Sequence, residues 1–232
     1  MWGGCLVPST TRRMWGPLFV MNIDGFILIG GASSRMGTDK SKLVFDGLTA
    51  VERIAAALSV VTNRVRTVGR MGAEFSSALP HVTDVHANWG ALGGIHAALR
   101  ATGTEWAAIV ACDLPFVTDE LFVRLSSFIT GDAKVAAIVP IQDDGRQQPL
   151  CALYKRDPCL LKAETLIACG EHTPRALFEA GSTRWIQPEE LADLRHAKHF
   201  FVNLNRPEDY QAAKEILSVC KISPLSHNYD SL

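Results

Sequence analysis

Residues 27–43 read ILIGGASSRMGTDKSKL, and this stretch decides the fold. An apolar run stops at the adjacent glycines Gly30 and Gly31, and a polar loop with one arginine and two lysines follows. A fully apolar run is typical of a strand that is buried on both faces of a parallel sheet. The glycines allow the backbone to approach a phosphate closely, and Arg35 and Lys40 can offset its charge. We therefore interpret the loop as a binding site for an anion.

Short apolar runs alternate with longer helical patterns along the rest of the chain. The predicted strands are FILI (26–29), VRTVG (65–69), WAAIVA (106–111), VAAIV (135–139), PLCALY (149–154) and FFVNL (200–204). The predicted helices begin after the capping box of Thr49 and Glu52, at Gly90, near Thr118, at Pro174 and at Pro207. This alternation predicts the α/β class, with a mostly parallel sheet between two layers of helices in a three-layer αβα domain.

A length of 232 residues suits one such domain, and the sequence shows no interdomain linker or repeat. We predict that the domain spans residues 21–220 and that residues 221–232 form a frayed tail. Residues 1–20 are read either as a disordered extension ahead of a natural start near Met21 or as a weak targeting segment. Because Gly16 and Pro17 interrupt their short apolar run, we favour the extension.

The bulk composition narrows the class of partner. The chain has 23 basic and 24 acidic residues, so it lacks the overall positive field that attracts nucleic acid or an anionic membrane. No apolar stretch approaches the roughly 18 residues of a membrane span. The six cysteines are scattered without a C-x-x-C pair, as expected of core residues in a reduced protein. We expect a cytoplasmic protein that binds neither nucleic acid nor membrane.

Polar residues follow several of the predicted strands. In open α/β sheets, ligands bind beyond the carboxyl ends of the strands. Besides the glycine loop, these positions hold Arg70, Asp113 and Asn205. An aspartate there can hold Mg²⁺, which takes carboxylate and phosphate oxygens together. The glycine loop, its cations and this acid together predict a nucleoside triphosphate site.

Two common phosphate-binding motifs are absent. A P-loop needs G-x-x-x-x-G-K-[ST], but Thr38 and Asp39 separate Gly37 from Lys40. The dinucleotide fingerprint G-x-G-x-x-G is also missing, because the glycines at 30 and 31 are adjacent. The loop therefore belongs to another class of nucleotide site.

The segment GGASSRMGTDKSKL resembles the signature loop of the molybdenum cofactor guanylyltransferase family. The resemblance continues, in the family's order, through GALGGI (90–95), CDLP (112–115), QPLCALY (148–154) and FVNLNRPEDY (201–210). It covers about residues 24–217. It implies a Rossmann-like nucleotidyltransferase fold and a Mg²⁺-dependent transfer of GMP from GTP to Mo-molybdopterin. Pyrophosphate would leave, and a guanine dinucleotide cofactor would form.

The resemblance also implies roles for individual residues. Arg35, Lys40 and Asp113 would act in catalysis, with Asp113 holding Mg²⁺. Asp84 would help to bind guanine or metal, and Asn205 would lie near the metal and the acceptor. The implied nucleotide-binding residues are Ile29, Gly30, Gly31, Arg35, Lys40, Arg70, Asp84 and Asp113. The implied partners are GTP, Mo-molybdopterin and molybdoenzyme apoproteins or their chaperones.

Some residues depart from the family pattern and leave alternatives open. Ala91 stands where the family commonly has proline, Arg206 where it has threonine, and Gly69 where many members have asparagine before Arg70. The last difference keeps open a CTP-dependent transferase for the same cofactor or a sugar-phosphate nucleotidyltransferase. A non-catalytic cofactor-binding chaperone is a further alternative. His86 and His96 are interpreted as surface or packed residues rather than as ligands.

Overall fold

A computed structural model describes residues 22–29, 43–70, 78–86, 89–129, 134–178 and 182–225. The strands are β1 (Ile23–Leu28), β2 (Val44–Phe45), β3 (Leu48–Thr49), β4 (Val65–Gly69), β5 (His81–Thr83), β6 (Trp106–Ala111), β7 (Ala137–Pro140), β8 (Cys151–Lys155) and β9 (Thr183–Ile186). The helices are α1 (Ala50–Leu58), α2 (Gly90–Ala101), α3 (Asp119–Ser127), α4 (Arg156–Ala168) and α5 (Pro207–Cys220). Short 3₁₀ turns lie at Pro174–Leu177, Pro188–Glu190 and Ala197–His199.

Seven of these strands form one sheet in the order β5-β4-β1-β6-β8-β7-β9. Only β8 is antiparallel to its neighbours, while the remaining pairs are parallel. The central pairing matches Leu28 of β1 with Val68 of β4 and with Ala111 of β6. The predicted mostly parallel sheet is therefore confirmed, and the carboxyl ends of β5, β4, β1, β6, β7 and β9 meet at one edge.

Helices cover both faces of this sheet. Ile27 of β1 packs in one apolar cluster with residues of α1 and α3, whereas Phe26 packs in a second cluster with residues of α2. The two clusters lie on opposite faces because successive side chains of a strand point to opposite sides. All six residues of β1 and all six of β6 are buried, as a strand between two helical layers requires. The three-layer αβα prediction is confirmed.

The capping box predicted at Thr49 is present at the start of α1. The Thr49 side chain accepts a hydrogen bond from the Glu52 backbone, and the Glu52 carboxylate accepts one from the Thr49 backbone, so both orphan N–H groups are satisfied. The hairpin β2–β3 precedes this helix and turns at Asp46 and Gly47, which both have positive φ. An Asp-Gly pair favours such a turn.

One predicted strand is wrong. FFVNL (200–204) forms a turn and an irregular segment, because Phe200 is buried against the helices of one face while Leu204 is buried in a third apolar cluster beside α5. Its apolar residues therefore enter two different clusters instead of a strand ladder. The short strands β5 and β9 and the helix α4 were not predicted.

The start of the predicted tail is packed, in contrast to the expected fraying from residue 221. Ile222 is buried in the third cluster, and its carbonyl accepts a 2.6 Å hydrogen bond from the buried Arg53 Nη2. The Pro224 carbonyl accepts a 3.0 Å bond from the Asp119 backbone. Residues 1–20 and 226–232 lie outside the described residues, so the proposed extension and the rest of the tail stay predictions.

The helices within the described ranges include none that combines the length and the apolar character of a membrane span. The five described cysteines are free thiols. Cys112, Cys151 and Cys159 are buried, as predicted for core residues, whereas Cys169 is exposed and Cys220 is half-buried. Burial raises the pKa of Cys151 and of Cys159 to about 12, so these two thiols stay protonated and unreactive near neutral pH.

Candidate functional site

The polar residues that follow the parallel strands lie along one edge of the sheet. The apolar Ile29 follows β1, Arg70 follows β4, Asp84 follows β5, and Asp113 lies two residues beyond β6. The hydrogen bonds of the ladders continue past the strand ends here, since the Ile29 backbone donates to the Val68 carbonyl at 2.8 Å. The structure thus brings Ile29, Arg70, Asp84 and Asp113 to the edge predicted from the sequence.

Four predicted residues, Gly30, Gly31, Arg35 and Lys40, lie outside the described residues. Both ends of their loop are described. Ile29 is buried at the carboxyl end of β1, next to β6. Leu43 is buried in the third cluster with Phe116 and Leu204. The loop therefore leaves beside the strand that leads to Asp113 and returns beside residues that flank Asp113.

A tight turn presents Asp113. Leu114 donates its backbone N–H to the Ala111 carbonyl at 3.3 Å, so Cys112 and Asp113 occupy the two central positions of the turn. The Cys112 backbone also donates to the Leu28 carbonyl at 3.0 Å, which ties the turn to β1. Asp113 is half-buried there.

Asn205 lies near the Asp113 turn because the preceding residue, Leu204, is bonded to it. The Leu204 backbone donates a 3.0 Å hydrogen bond to the Asp113 carbonyl, so the segment before α5 is attached to the Asp113 turn. The Asn205 and Arg206 backbones both donate to Asp209 Oδ2, at 2.7 and 2.8 Å, and these bonds fix the entry to α5. Asn205 is exposed one residue beyond Leu204, next to the turn.

Gly69 departs from the family pattern for a steric reason. A Cβ atom at this position would lie 2.6 Å from the Ile29 carbonyl oxygen and 2.9 Å from Ile29 Cγ1. The first contact is with backbone, which cannot move aside without separating β1 from β4. A side chain is therefore excluded at 69, and the exposed Arg70 is the first side chain after β4 that can face a ligand.

Asp84 packs against the first turn of α2. Its Oδ1 accepts a 2.8 Å hydrogen bond from the His86 backbone, and its own backbone donates to the Gly69 carbonyl at 2.7 Å. A Cβ on Gly93 would lie 2.6 Å from the His86 carbonyl and 3.1 Å from Asp84 Oδ2. Gly93 therefore allows the Asp84 turn to approach the helix, and no sequence motif revealed this contact.

The donor set suits Mg²⁺ bound together with phosphates. Among the described residues, no group of three or more His, Cys, Asp or Glu side chains could hold a metal ion by itself. Mg²⁺ sites with nucleotides usually need only one or two carboxylates, and phosphates and water complete the octahedron. Asp113 supplies such a carboxylate, and the amide oxygen of the nearby Asn205 is the same kind of hard donor. Asp84 lies three strands from β6, roughly 14 Å away at the usual strand spacing.

His96 is buried behind the Asp84 turn. Its ring lies 4.8 Å from that of His86, and its Nε2 lies 3.9 Å from Glu164 Oε1 on α4. Its buried Nδ1 has no hydrogen-bond partner among the residues described. Burial lowers the pKa of His96, and His86 and Arg100 lower it further, while Glu164 and Asp84 raise it. The packed interpretation of this histidine from the sequence agrees with its position.

The unfolded chain binds a proton at His96 more readily than the folded protein does. The contribution of neutral His96 to the free energy of unfolding is therefore complete above the ordinary histidine pKa of 6.5. It decreases as the pH falls below that value. We expect His96→Gln to flatten this decrease by up to about 1.4 kcal/mol per pH unit. Urea denaturation at several pH values between 5 and 7.5 measures the slope.

Glu164→Gln is expected to change the pH dependence of stability in the opposite direction to His96→Gln. It removes a charge that raises the pKa of His96, so the loss of stability toward low pH should become steeper. An unchanged slope in both variants would show that His96 does not titrate with unfolding.

The comparisons with known proteins agree with this geometry. Residues 25–184 match the model of the MobA-like NTP transferase domain. The chain belongs to the MobA-like NTP transferase family. It is therefore a nucleotidyltransferase, and the resemblance seen in its motifs is confirmed.

Individual members of this family are similar over most of their length. A probable molybdenum cofactor guanylyltransferase from Chloroflexus aggregans is 31% identical over 210 residues, which are 87% of this chain and 98% of that protein. A molybdenum cofactor guanylyltransferase from Desulfosudis oleivorans is 29% identical over 205 residues, 87% and 98% of the two chains. The crystal structure of molybdopterin-guanine dinucleotide biosynthesis protein A from Archaeoglobus fulgidus matches with a TM-score of 0.69 at 25% identity. It covers 84% of this chain and 99% of that chain.

Proposed function

We propose that this nucleotidyltransferase transfers GMP from GTP to the terminal phosphate of Mo-molybdopterin. A phosphate oxygen of the acceptor attacks the α-phosphorus, the bond between the α-phosphorus and the bridging oxygen breaks, and pyrophosphate leaves. The product is a guanine dinucleotide cofactor. The names of the similar proteins support this choice of substrates.

One observation carries the proposal. The two described ends of the glycine loop flank the Asp113 turn, one beside β6 and the other in the cluster of Phe116 and Leu204. A loop anchored in this way would bring its cations near a triphosphate whose metal Asp113 would hold. Transfer between phosphates depends on alignment and charge neutralisation rather than on covalent chemistry, so such an arrangement suffices.

Each residue then has a role that its chemistry suits. Gly30 and Gly31 let backbone N–H groups reach the phosphates, and Arg35 and Lys40 neutralise and align them. Asp113 would hold Mg²⁺ with Asn205 nearby, and the bound ion supplies charge stabilisation to the departing pyrophosphate. The attacking phosphate is already an anion, so a strong general base is not required.

Asp84 supports guanine as the base. A carboxylate only accepts hydrogen bonds, and guanine presents two adjacent donors, N1–H and the 2-amino group, on one edge. Cytosine offers a single amino donor beside an acceptor. The roughly 14 Å between β5 and β6 also supports a role of Asp84 at the base rather than at a metal held by Asp113. Arg70, which follows β4 between these two strands, would contact the nucleotide.

The test is incubation with Mg²⁺, each of the four nucleoside triphosphates and Mo-molybdopterin, with pyrophosphate and product mass as readouts. We expect pyrophosphate and a guanine dinucleotide to form with GTP and not with the other three nucleoside triphosphates. Faster turnover with CTP would replace the guanine assignment by cytosine, and binding of GTP and cofactor without turnover would favour the chaperone alternative. A cytoplasmic location and delivery of the product to molybdoenzyme apoproteins or their chaperones stay predictions.

A further inference from the structure

His96 lies behind the turn that presents Asp84. It follows Gly93 by three residues on α2, so the two positions share one face of the helix. At Gly93 a Cβ would lie 2.6 Å from the His86 carbonyl and 3.1 Å from Asp84 Oδ2. The His96 ring contacts the His86 ring edge to face, with 4.8 Å between the ring centroids. One face of α2 therefore supports both His86 and Asp84.

His86 connects this face of α2 to the carboxylate. Its backbone N–H donates a 2.8 Å hydrogen bond to Asp84 Oδ1, while its ring packs on His96. Its carbonyl accepts a 2.8 Å hydrogen bond from the Trp89 backbone at the start of α2. A displacement of the His86 ring would therefore move the N–H group that holds Asp84 Oδ1.

The surroundings of His96 offer little to a positive charge. Its side chain is 2% exposed, and its Nδ1 has no hydrogen-bond partner in the part of the chain that the structure describes. Its Nε2 lies 3.9 Å from Glu164 Oε1, on a side chain that is 48% exposed. Burial, His86 and Arg100 lower the pKa of His96, whereas Glu164 and Asp84 raise it. The ring is therefore mostly neutral at pH 7.

A proton on His96 would act on Asp84 in two ways. A buried charge without a full set of partners is costly, so the packing between His96 and His86 would open toward water. The imidazolium would also attract the Asp84 carboxylate and compete with a base for it. We propose that His96 is a positioning residue for guanine recognition: its neutral ring supports His86 and leaves Asp84 to the base, and its protonation withdraws Asp84.

This inference rests on the proposed role of Asp84 at guanine. Guanine offers a carboxylate two donors, N1–H and the 2-amino group, whereas the hypoxanthine of inosine triphosphate (ITP) offers N1–H alone. GTP and ITP carry the same triphosphate, so the titration of the phosphates cancels in the ratio of their affinities. The preference for GTP over ITP therefore reports the contact between Asp84 and the base.

Dissociation constants of GTP and ITP are measured with Mg²⁺ by isothermal titration calorimetry of the full-length protein, at several pH values between 7.5 and 5. We expect the wild type to prefer GTP about tenfold at pH 7.5, because ITP lacks one hydrogen bond to a carboxylate. The preference should fall to about threefold or less at pH 5. The decrease should begin below pH 6.5, because the pKa of His96 lies below that value.

Three variants separate His96 from other titrating groups. His96→Gln cannot gain the proton, so its preference for GTP should stay constant over this pH range. Glu164→Gln removes a carboxylate that raises the pKa of His96, so the decrease should move to lower pH. His199→Gln is the matched control, because burial also lowers the pKa of His199 but its ring packs beside Phe116 rather than behind Asp84. It should keep the pH dependence of the wild type.

A preference for GTP that stays constant with pH in the wild type, or that decreases equally in His96→Gln, would overturn the role of His96. The same decrease at the same pH in Glu164→Gln would overturn it as well. Equal affinities of the wild type for GTP and ITP at pH 7.5 would overturn the guanine contact of Asp84 and the role of His96 with it. The expected pH dependence without transfer of GMP to Mo-molybdopterin would refute the proposed transfer alone.

Discussion

Asp113→Asn is expected to lower the rate of pyrophosphate release by about 10³-fold while leaving the fold intact. The carboxylate is assigned to Mg²⁺, and loss of the several kcal/mol of charge stabilisation that a bound metal supplies corresponds to roughly this factor. The fold should survive because the bond that attaches Leu204 uses the Asp113 backbone carbonyl rather than its side chain. Asparagine retains that carbonyl and nearly the same volume.

The rate is measured as GTP-dependent pyrophosphate release at saturating Mg²⁺, with thermal unfolding to confirm that each variant is folded. Asp157→Asn serves as the matched control, since its side chain is 84% exposed at the start of α4, on the opposite edge of the sheet. It should change the rate less than twofold. A folded Asp113→Asn protein with more than a tenth of wild-type activity would contradict the metal assignment.

The central half of the fold could be predicted because its strands are buried on both faces. WAAIVA and VRTVG match β6 and β4 residue for residue. WAAIVA is visible as a strand in the sequence because neither face of β6 carries a polar residue, whereas β4 includes the polar residues Arg66 and Thr67 and is only half-buried at its start. The polar residues that follow such runs were found by the same reasoning, which is why Arg70 and Asp113 were correctly placed at the carboxyl edge.

The outer elements carried no comparable signal. β5 (HVT) and β9 (TRWI) lie at the two edges of the sheet, are only three and four residues long, and are largely half-buried. Helix α4 buries only Cys159 and Ala163, so its apolar face is too narrow to produce a helical period. The apolar segment FFVNL was wrongly predicted as a strand, because an apolar segment can be buried without pairing in a sheet.

Contacts between distant segments were the least accessible from the sequence. In the sequence, Gly69 was a departure that kept a CTP-dependent or sugar-phosphate transferase open, whereas in the structure the nearby Ile29 carbonyl leaves no space for a side chain at this position. The close approach of the Asp84 turn to Gly93 of α2 was likewise not visible in the sequence. Both depend on the distance between backbones from different elements, which residue types and spacing do not encode.

The carboxyl edge divides naturally at β6. The glycine loop follows β1, and Arg70 and Asp84 follow β4 and β5, all on one side of it. A cavity of about 400 Å³, lined among others by Asp143 and Lys198, lies near the carboxyl ends of β7 and β9 on the other side. Asp113 follows the strand between them. Asp113 would hold a metal ion at this boundary, and the ion would supply charge stabilisation there, which suits the proposed reaction between two phosphorylated molecules.

Arg53 of α1, which is only 2% exposed, joins the segment that follows the Asp113 turn to the chain after α5. Its Nε donates to the Pro115 carbonyl at 3.2 Å, and its Nη2 donates to the Ile222 carbonyl at 2.6 Å. Burial lowers the pKa of Arg53, and the charge of Asp46 partly opposes this shift. The guanidinium stays protonated near neutral pH, so both bonds are charge-assisted.

Arg53→Met is expected to reduce the free energy of unfolding by about 3 kcal/mol, because methionine fills the space but leaves two buried carbonyls without donors. Urea denaturation measures the change, and the melting temperature should fall by roughly 6–12 °C for a chain of this size. Arg100→Met, at an exposed helical arginine of α2, should stay within about 0.5 kcal/mol of the wild type. Equal stability of the two variants would show that Arg53 does not join the segment after the Asp113 turn to the chain after α5. A selective loss in Arg53→Met would show that the bonds of Arg53 to Pro115 and to Ile222, in the segment that the sequence suggested was frayed, stabilise the fold.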